Sequence, residues 1–421
     1  MTSAVASSQT FVIVGASLAG ANAAQALRSE GFDGRVILVG EEAERPYERP
    51  PLSKEHLRGQ DEPGSIFVHP EAFYAEQGIE LRSSTRVAAL HPGDRRVETA
   101  DGEAIGYDRL LLATGAQPRR MDVPGSDLGG IHYLRTVQDS DRLRAALAPA
   151  SRLAVVGAGW IGSEVAASAR QLGVEVVLID PMATPLERAL GPEVGAVYRD
   201  LHARHGVELH PNTSVGAFVG NHSVEGVRTA DGDVFDVDLV VAGIGVEPRT
   251  GLAATAGLAL DNGIAVDEYL QTSAPGIYAA GDVAAAWHPG LGRRIRVEHW
   301  ANAVNQGIVA AKNMLGAATV YDRVPYFFSD QYDLGMEYAG YTTSWDEVVF
   351  RGDPATGEFI AFWLGDGRVL AGMNANTWGV NKAIQELIRS RKPVPLDRLA
   401  DPAVPLAELV RAATPGGTNR D

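Results

Sequence analysis

A glycine-rich motif occurs twice in the chain, each time directly after a run of apolar residues. The first copy is Gly-Ala-Ser-Leu-Ala-Gly at residues 15–20, and the second is Gly-Ala-Gly-Trp-Ile-Gly at residues 157–162. A turn of this kind, between a strand and a helix, presents backbone N–H groups to a pyrophosphate at the positive end of the helix dipole. One copy is weak evidence. Two copies predict a protein that holds two dinucleotides and passes electrons between them.

Each glycine motif has an acidic residue at the end of the next apolar strand. Glu41 follows residues 35–40, and Asp180 follows residues 174–179. A carboxylate at this place hydrogen-bonds an adenosine ribose. Asp180 would also repel the 2′-phosphate of NADPH, and the nearest arginine after it is Arg188. The second motif therefore predicts a site for NADH.

The first motif departs from the G-x-G-x-x-G pattern, because Ser17 replaces its middle glycine. A Cβ at this place narrows the approach to a pyrophosphate, although the serine hydroxyl is able to bond a phosphate oxygen. The alternative for this copy is an ordinary turn between a strand and a helix that binds no ligand.

Three further segments contain apolar runs. Those at residues 110–116 and 240–245 end in small residues, and the one at residues 276–283 is a predicted strand that ends in Gly-Asp. Each alone is better explained as the core of a parallel sheet, but their order and spacing favour positions beside a cofactor. In the last segment, an acid following glycine is suited to accept a hydrogen bond from a flavin ribityl hydroxyl. The residues that these motifs and segments predict at the two cofactors are Gly15, Ser17, Leu18, Ala19, Gly20, Glu41, Ala113, Thr114, Gly115, Gly157, Gly159, Trp160, Ile161, Gly162, Asp180, Gly245, Gly281 and Asp282.

The sequence contains no cysteine. Disulphide reductases with two nucleotide sites pass electrons through a cysteine pair, and an iron–sulfur cluster needs thiolate ligands. Neither route is open to this chain, and we predict no metal site. Electrons that reach a flavin must therefore leave directly to an external acceptor.

The net charge of −16 disfavours nucleic acid as a partner, because its phosphates would be repelled. The positive charge is nevertheless clustered. One cluster lies in a predicted loop and the other near the end of the chain; they contain Arg293, Arg294 and Arg296, and Arg389, Arg391 and Lys392. Both clusters are explained as solvated faces of the protein, or one of them is a docking surface for an acidic protein.

A length of 421 residues predicts two or three domains. No apolar run approaches the roughly 20 residues of a membrane span, and the first ten residues lack the features of a secretory signal. We therefore expect a soluble, cytoplasmic protein, with a disordered tail at residues 414–418.

Local patterns predict the remaining elements. The charged and proline-rich residues 45–70 suggest a loop and a short helix that cover a cofactor, and residues 231–233 suggest a hairpin turn. Other patterns predict helices at residues 140–148, 302–315 and 381–389, and antiparallel strands at residues 347–350, 358–363 and 368–371.

Five segments resemble the FAD-dependent ferredoxin reductases of bacterial oxygenase systems. They are residues 45–54, 133–136, 280–282, 298–303 and 328–333. The most specific part is Arg-Pro-Pro-Leu-Ser-Lys at residues 49–54, which the broader disulphide-reductase relatives lack.

The resemblance implies an α/β fold with two Rossmann-like dinucleotide-binding domains. As in glutathione reductase, the NAD domain is inserted in the FAD domain, and a C-terminal α+β domain follows. The order of the strand and helix patterns along the chain predicts boundaries of 1–116 and 246–322 for the FAD domain, 117–245 for the NAD domain and 323–421 for the C-terminal domain.

The resemblance also implies a set of residues around the FAD, namely Lys54, Val87, Arg135, Asp282 and Trp300. We also predict Arg49, in the same motif as Lys54, to bind a cofactor. We expect Lys54 to lie near flavin N5, where a cation stabilises the anionic reduced flavin. Glu164, predicted on the first turn of its helix, would face the nicotinamide and pair with Lys54. Each of these residues also has an explanation that involves no cofactor. Lys54 would be a surface lysine, Glu164 would compensate the helix dipole, and Trp300 would be a core tryptophan.

The function implied is an NADH:ferredoxin reductase with FAD bound and NADH as cosubstrate. It would deliver electrons singly to an acidic [2Fe–2S] ferredoxin that serves a haem-thiolate monooxygenase or a Rieske dioxygenase. The alternatives are a rubredoxin reductase, an NADH oxidase that uses O₂, and a redox-sensing interaction module with slow turnover.

Overall fold

The computed structural model describes residues 9–413, which divide into two compact units. The predictions for residues 414–418, and most of those for the first ten residues, lie outside this range. Unit 1 takes in the described parts of Met1–Glu48, Glu62–Gln117 and Val246–Arg323, and unit 2 those of Arg49–Asp61, Pro118–Gly245 and Val324–Asp421. The three-domain boundaries remain a prediction. In this division, residues 49–61 group with unit 2 and not with the first domain.

A parallel five-stranded sheet forms the centre of unit 1. Its strands, in spatial order, are β19 (Ile277–Ala279), β7 (Arg109–Leu112), β1 (Thr10–Val14), β2 (Arg35–Val39) and β3 (Ile79–Arg82). The strands are continuous apolar runs because a parallel sheet is covered on both faces. Helices α1 (Leu18–Ser29) and α8 (Trp300–Met314) pack so closely that a Cβ on Gly307 would lie 2.3 Å from the carbonyl oxygen of Ala19.

Smaller elements complete unit 1. Two antiparallel strand pairs join β4 (Val87–His91), β5 (Arg96–Thr99) and β6 (Ala104–Gly106) into one sheet, and another sheet contains β18 (Ile264–Val266), β20 (Ala284–His288) and β21 (Arg293–Arg296). Strands β8 (Ala116–Pro118) and β17 (Val246–Pro248) pair where the chain leaves the unit and returns, and helices α3 (Phe73–Glu76) and α7 (Gly251–Thr255) are short.

The predicted loop at the first arginine cluster is wrong. Arg293–Arg296 forms strand β21, which pairs with β20 so that Trp287 lies opposite Arg294. The reason is the intervening Pro-Gly-Leu-Gly sequence at residues 289–292, whose turn-forming residues connect two strands of a hairpin.

A second parallel sheet in unit 2 repeats the arrangement of the first. Its strands, in spatial order, are β12 (Glu208–His210), β11 (Glu175–Ile179), β10 (Arg152–Val156), β16 (Leu239–Ala242) and β9 (Ile131–His132). Around it lie α4 (Val137–Leu147), α5 (Trp160–Gln171), α6 (Glu187–Arg204, with non-helical backbone at Gly191) and the three-stranded sheet β13 (Val215–Gly220), β14 (Val224–Thr229) and β15 (Val234–Asp236). The predicted hairpin turn at residues 231–233 is confirmed between β14 and β15.

The remainder of unit 2 is an antiparallel sheet with helices, as the strand and helix patterns at residues 347–389 predict. In spatial order the strands are β22 (Tyr326–Gln331), β23 (Leu334–Gly340), β26 (Arg368–Ala375), β25 (Glu358–Gly365) and β24 (Glu347–Asp353). Helices α9 (Asn381–Ser390), α10 (Leu396–Ala400) and α11 (Leu406–Ala413) follow, and residues 49–61 supply a 3-10 turn at Pro50–Ser53 and helix α2 (Glu55–Arg58).

The helices and strands that the sequence predicts within unit 2 are confirmed, with differences of a few residues at their ends. Helix α4 begins at Val137 because Thr136 and Asp139 form a capping box, a signal that the sequence contains and that the prediction overlooked. Within residues 9–413, no helix is long and apolar enough to cross a membrane.

The buried guanidinium of Arg351 on β24 donates hydrogen bonds to four backbone carbonyls in residues 399–404, with its Nη1 lying 2.7 Å from the Asp401 oxygen. Arg351→Met keeps an apolar stem but leaves these acceptors without their donor. We expect the free energy of unfolding, measured by urea titration, to fall by about 3 kcal/mol.

The matched control for this substitution is Arg398→Met. Arg398 pairs with Glu408 at 2.7 Å, but both side chains are more than two-fifths exposed. Such pairs contribute at most about 1 kcal/mol. Equal losses in the two variants would contradict the role assigned to Arg351.

Candidate functional site

The first glycine motif forms a turn that no residue with a side chain could reproduce at its two ends. Gly15 has φ +119°, and a Cβ there would lie 2.1 Å from the carbonyl oxygen of Ala113. A Cβ on Gly20 would lie 2.0 Å from the oxygen of Gly15. Helix α1 then begins at Leu18, and the side chain of its N-cap residue, Ser17, makes no capping hydrogen bond.

The second motif repeats this geometry. Gly157 has φ +98°, and its Cβ would lie 2.5 Å from the carbonyl oxygen of Gly243, while a Cβ on Gly162 would lie 1.9 Å from the oxygen of Gly157. Gly159 is the N-cap of α5, also without a side-chain capping bond. Two helix N-termini therefore follow equivalent glycine turns, an arrangement that fits the pyrophosphates of two dinucleotides.

The middle position of the motif is sterically open. A Cβ on Gly159 would meet its nearest neighbour, the oxygen of Gly243, only at 4.0 Å. Ser17 and Gly159 both have extended backbone, with φ −128° and −75°. The equivalent position in the second copy would therefore have room for a side chain, as the serine in the first copy requires.

The two predicted ribose-binding acids differ in what they contact. The Asp180 carboxylate accepts hydrogen bonds from the backbone N–H of Ala158, at 2.6 Å, and of Met182, at 2.7 Å, which holds it directly against the second glycine turn. Glu41 is exposed and forms an ion pair with Arg249 in the same unit. The Thr114 hydroxyl donates to the carbonyl of Arg249 at 2.9 Å, so this arginine also lies beside the predicted segment at residues 113–115. No pattern in the sequence indicated Arg249.

The predicted Gly281-Asp282 segment lies beside the first glycine turn. Gly281 has φ +80°, and a Cβ there would be 3.2 Å from the Cβ of Ala19 on α1. Its N–H donates to Oε1 of Gln306 at 2.9 Å, so a buried glutamine of α8 fixes the segment. Gln306 was not predicted, since a glutamine within a helix gives no indication of its buried partner.

Trp300 is the first residue of α8 and packs, half-buried, against the core of unit 1. His299 precedes it as the N-cap, and burial lowers the pKa of His299 to about 4. The imidazole is therefore neutral at pH 7. Val87 begins β4 at the same core and is also half-buried.

The predicted pair of Lys54 and Glu164 is present in unit 2 and is almost fully buried. The Lys54 Nζ lies 3.4 Å from Oε2 of Glu164, and the two residues are 4% and 5% exposed. The alternative of a surface lysine is therefore excluded. Two serine hydroxyls also donate to the carboxylate, Ser329 to Oε1 at 2.7 Å and Ser53 to Oε2.

The predicted place of Glu164 on its helix is wrong. Helix α5 begins at Trp160, so Glu164 is its fifth residue, and the first turn contains no acidic residue. The helix dipole acts mainly within the first turn, so compensation of the dipole does not explain this glutamate.

Residues 49–61 are more buried than their charge predicts, because two serine hydroxyls bind their backbone. Ser140 of α4 donates to the carbonyl of Leu52, and Ser168 of α5 donates to that of Ser53, each at 2.7 Å. Lys54 lies between the 3-10 turn and α2 and is carried into the interior by this attachment.

Of the other predicted residues of unit 2, Arg49, Trp160 and Ile161 lie at or near helix N-termini, and Gly245 follows a strand. Arg49 donates from Nη1 to the carbonyl of Arg135, next to the N-cap of α4. Trp160 makes edge contacts with the rings of Tyr198 and Phe327, whereas Ile161 is 41% exposed. Gly245 has φ +97° after β16. Among residues 9–413, no cluster of three or more histidine, aspartate or glutamate side chains is placed to hold a metal ion.

Residues 9–307 match the family model described as pyridine nucleotide-disulphide oxidoreductase, and residues 326–410 match the model described as reductase C-terminal. The ferredoxin–NAD(+) reductase component of the anthranilate 1,2-dioxygenase system of Burkholderia cepacia is 44% identical over 405 residues, which are 95% of this chain and 99% of the relative. Putidaredoxin reductase of Pseudomonas putida is 38% identical over 408 residues, 96% of this chain and 97% of that protein.

A solved structure of high similarity is that of the covalent complex of putidaredoxin reductase with putidaredoxin. Its matched chain superposes with a TM-score of 0.92 at 38% identity, and the match covers 96% of this chain and 99% of that one. The predicted fold class and family are therefore confirmed. The chain belongs to the pyridine nucleotide-disulphide oxidoreductase family, among the ferredoxin reductases of bacterial oxygenase systems.

Proposed function

We propose that this protein transfers electrons from NADH, through FAD, to a [2Fe–2S] ferredoxin that supplies a monooxygenase or dioxygenase. The observation that carries the proposal is the pair of equivalent glycine turns, each placed at the N-terminus of a helix without a side-chain cap. The names of the relatives support a ferredoxin as the acceptor. The absence of cysteine supports direct transfer to it, because no dithiol relay is available.

We assign FAD to unit 1 and NADH to residues 117–245, within the boundaries predicted from the sequence. Unit 1 would hold the FAD pyrophosphate at residues 15–20, with Gly281 and Asp282 beside it. The second turn at residues 157–162 would hold the NADH pyrophosphate, with Asp180 at the adenosine ribose. The two cofactors supply the redox chemistry, a hydride received and single electrons released, and the protein supplies binding and orientation.

Lys54 and Glu164 are the catalytic residues in this proposal. The positive charge of Lys54 would stabilise the anionic reduced flavin, and the carboxylate of Glu164 would face the nicotinamide. A buried ion pair adds little net stability compared with apolar residues of similar size. Stability alone therefore does not explain why this pair is buried, and this supports a functional role for it.

The function is tested by cytochrome c reduction with the FAD-loaded protein, NADH and a panel of electron carriers. We expect fast reduction only when a small [2Fe–2S] ferredoxin is present, since a one-electron carrier must connect the flavin to cytochrome c. Equal rates without any carrier would favour an NADH oxidase, and equal rates with rubredoxin would favour a rubredoxin reductase. A stable complex of reduced flavin with NAD⁺ that turns over slowly with every carrier would favour a redox sensor.

Asp180 should make the enzyme prefer NADH to NADPH. Two like charges about 5 Å apart at an effective dielectric constant of about 20 repel by about 3 kcal/mol, which corresponds to roughly a hundredfold preference. Asp180→Asn removes the charge and keeps an oxygen that can accept a backbone N–H. The ratio of kcat/KM for NADH to that for NADPH should fall about tenfold or more.

The control for this experiment is Asp180→Ala. It also removes the hydrogen bonds to Ala158 and Met182, so the KM for NADH should rise as well. Equal use of both cofactors by the wild-type enzyme would show that Asp180 does not select between them.

We propose that an acidic ferredoxin docks at the hairpin formed by β20 and β21. Arg293 is exposed there, and Trp287 on the paired strand is 40% exposed. Arg294 and Arg296 support the hairpin itself, since Arg294 pairs with Asp261 and Arg296 pairs with Glu298. Because both proteins would be negatively charged overall, rapid association needs such a local positive patch.

Arg293→Glu should raise the KM for ferredoxin about three- to tenfold at low ionic strength, and added salt should reduce the difference. Turnover with ferricyanide should stay unchanged, because ferricyanide needs no protein dock. The matched control is Arg391→Glu in the second cationic cluster, where Arg391 is exposed after α9. A raised KM in the control and not in Arg293→Glu would place the dock on the C-terminal domain.

A further inference from the structure

Glu164 is held by hydroxyl groups from two segments that are distant from it in the sequence. Ser329, on β22, donates to Oε1 across a separation of 165 residues, and Ser53, at the end of the 3-10 turn, donates to Oε2 across 111 residues. Both serines are almost fully buried. Each carboxylate oxygen therefore receives one hydroxyl donor, and Lys54 lies beside Oε2.

This arrangement fixes the orientation of the carboxylate but leaves it able to accept further hydrogen bonds. A carboxylate offers about four lone-pair sites on its two oxygens. A hydroxyl on each oxygen restricts rotation about the last side-chain bond, whose torsion angle otherwise has a broad distribution. A carboxylate that must present one edge to a ligand needs this kind of restriction.

Strand β22 places the Ser329 hydroxyl with little freedom. Ser329 pairs with Met336 in the middle of the antiparallel ladder between β22 and β23. Residues two apart on a strand share one face, so Gln331 points the same way as Ser329. The Gln331 Oε1 lies 3.0 Å from Nε2 of His202 on α6, and burial lowers the pKa of His202 to about 4. The same face of β22 thus contacts two helices of residues 118–245, and of these two side chains Ser329 is the one that hydrogen-bonds Glu164.

We propose that Ser329 is a positioning residue for the reaction with NADH. Its hydroxyl holds the Glu164 carboxylate in the orientation that faces the nicotinamide, so the C-terminal sheet contributes to hydride transfer as well as to packing. The inference rests on the proposed function, because it takes Glu164 to be the residue that faces the nicotinamide.

The test is the rate at which NADH reduces the flavin of the full-length, FAD-loaded enzyme, followed anaerobically by stopped-flow absorbance. Ser329→Ala should lower the limiting reduction rate about tenfold, while the dissociation constant for NADH changes less than about threefold. Hydride transfer from 4-deuterated NADH should show a larger isotope effect, since the chemical step then limits the rate more fully. A purely structural role would not change this isotope effect.

A double-mutant cycle with Glu164→Gln separates positioning from general damage. If Ser329 acts through Glu164, the double variant Ser329→Ala with Glu164→Gln should reduce its flavin no more slowly than Glu164→Gln alone. The reason is that the effects of substitutions at interacting residues are not additive. Additive losses would overturn the proposal. Ser329→Cys fills the space of the serine with a slightly larger side chain and weakens its donor, so it should give the same direction of change even if Ser329→Ala folds poorly.

The matched control is Gln331→Leu, on the same face of the same strand. It removes the contact with His202 and should lower the melting temperature without slowing flavin reduction more than about twofold. An equal slowing in Gln331→Leu and Ser329→Ala would show a general effect of β22 and would overturn the inference.

The cycle also separates this inference from the proposed function. A normal reduction rate in Glu164→Gln would contradict the role of Glu164 itself. A slow Glu164→Gln with a normal Ser329→Ala and a normal Ser329→Cys would contradict only the role of Ser329.

Discussion

In both units, a backbone carbonyl occupies the place that a Cβ of the first glycine would need. Ala113 supplies this carbonyl in unit 1 and Gly243 supplies it in unit 2. Because the end of the neighbouring parallel strand, β7 or β16, comes so close, the chain turns within a few residues and begins a helix. The two parallel sheets, their central strands β1 and β10 and the candidate pyrophosphate sites all depend on this contact between backbones.

The buried cluster around Glu164 depends on a different balance. Removing an ammonium and a carboxylate from water costs several kcal/mol each, and their attraction offsets this cost only when further hydrogen bonds are made. Ser53 and Ser329 supply those bonds, and Ser140 and Ser168 attach the segment that carries Lys54. Small hydroxyl side chains thus allow charge to stay in the interior of unit 2, where an apolar cluster would be simpler and no less stable.

The errors in the sequence-based predictions have physical causes that can be named. The short helix predicted within residues 45–70 is present as α2, but the charge of this segment argued against burial, whereas the side chains of residues 52–54 are buried because hydroxyls of α4 and α5 bind their backbone. The arginines at residues 293–296 suggested a loop, but the turn before them connects β20 to β21, and these arginines lie on the second strand of that hairpin. Charge density indicates neither burial nor pairing when the partner is distant in the sequence.

The sequence by itself determined the two glycine turns, the parallel sheets around them and the antiparallel C-terminal sheet, because these follow from local spacing and apolar periodicity. It also excluded a cysteine relay. Only the tertiary structure decided which polar groups meet: Glu164 with Ser53 and Ser329, Glu41 with Arg249, and Gly281 with Gln306. These contacts join segments far apart in the chain, and the side chains involved have no periodic pattern that would indicate their partners. Their geometry is fixed by the packing of whole helices and strands.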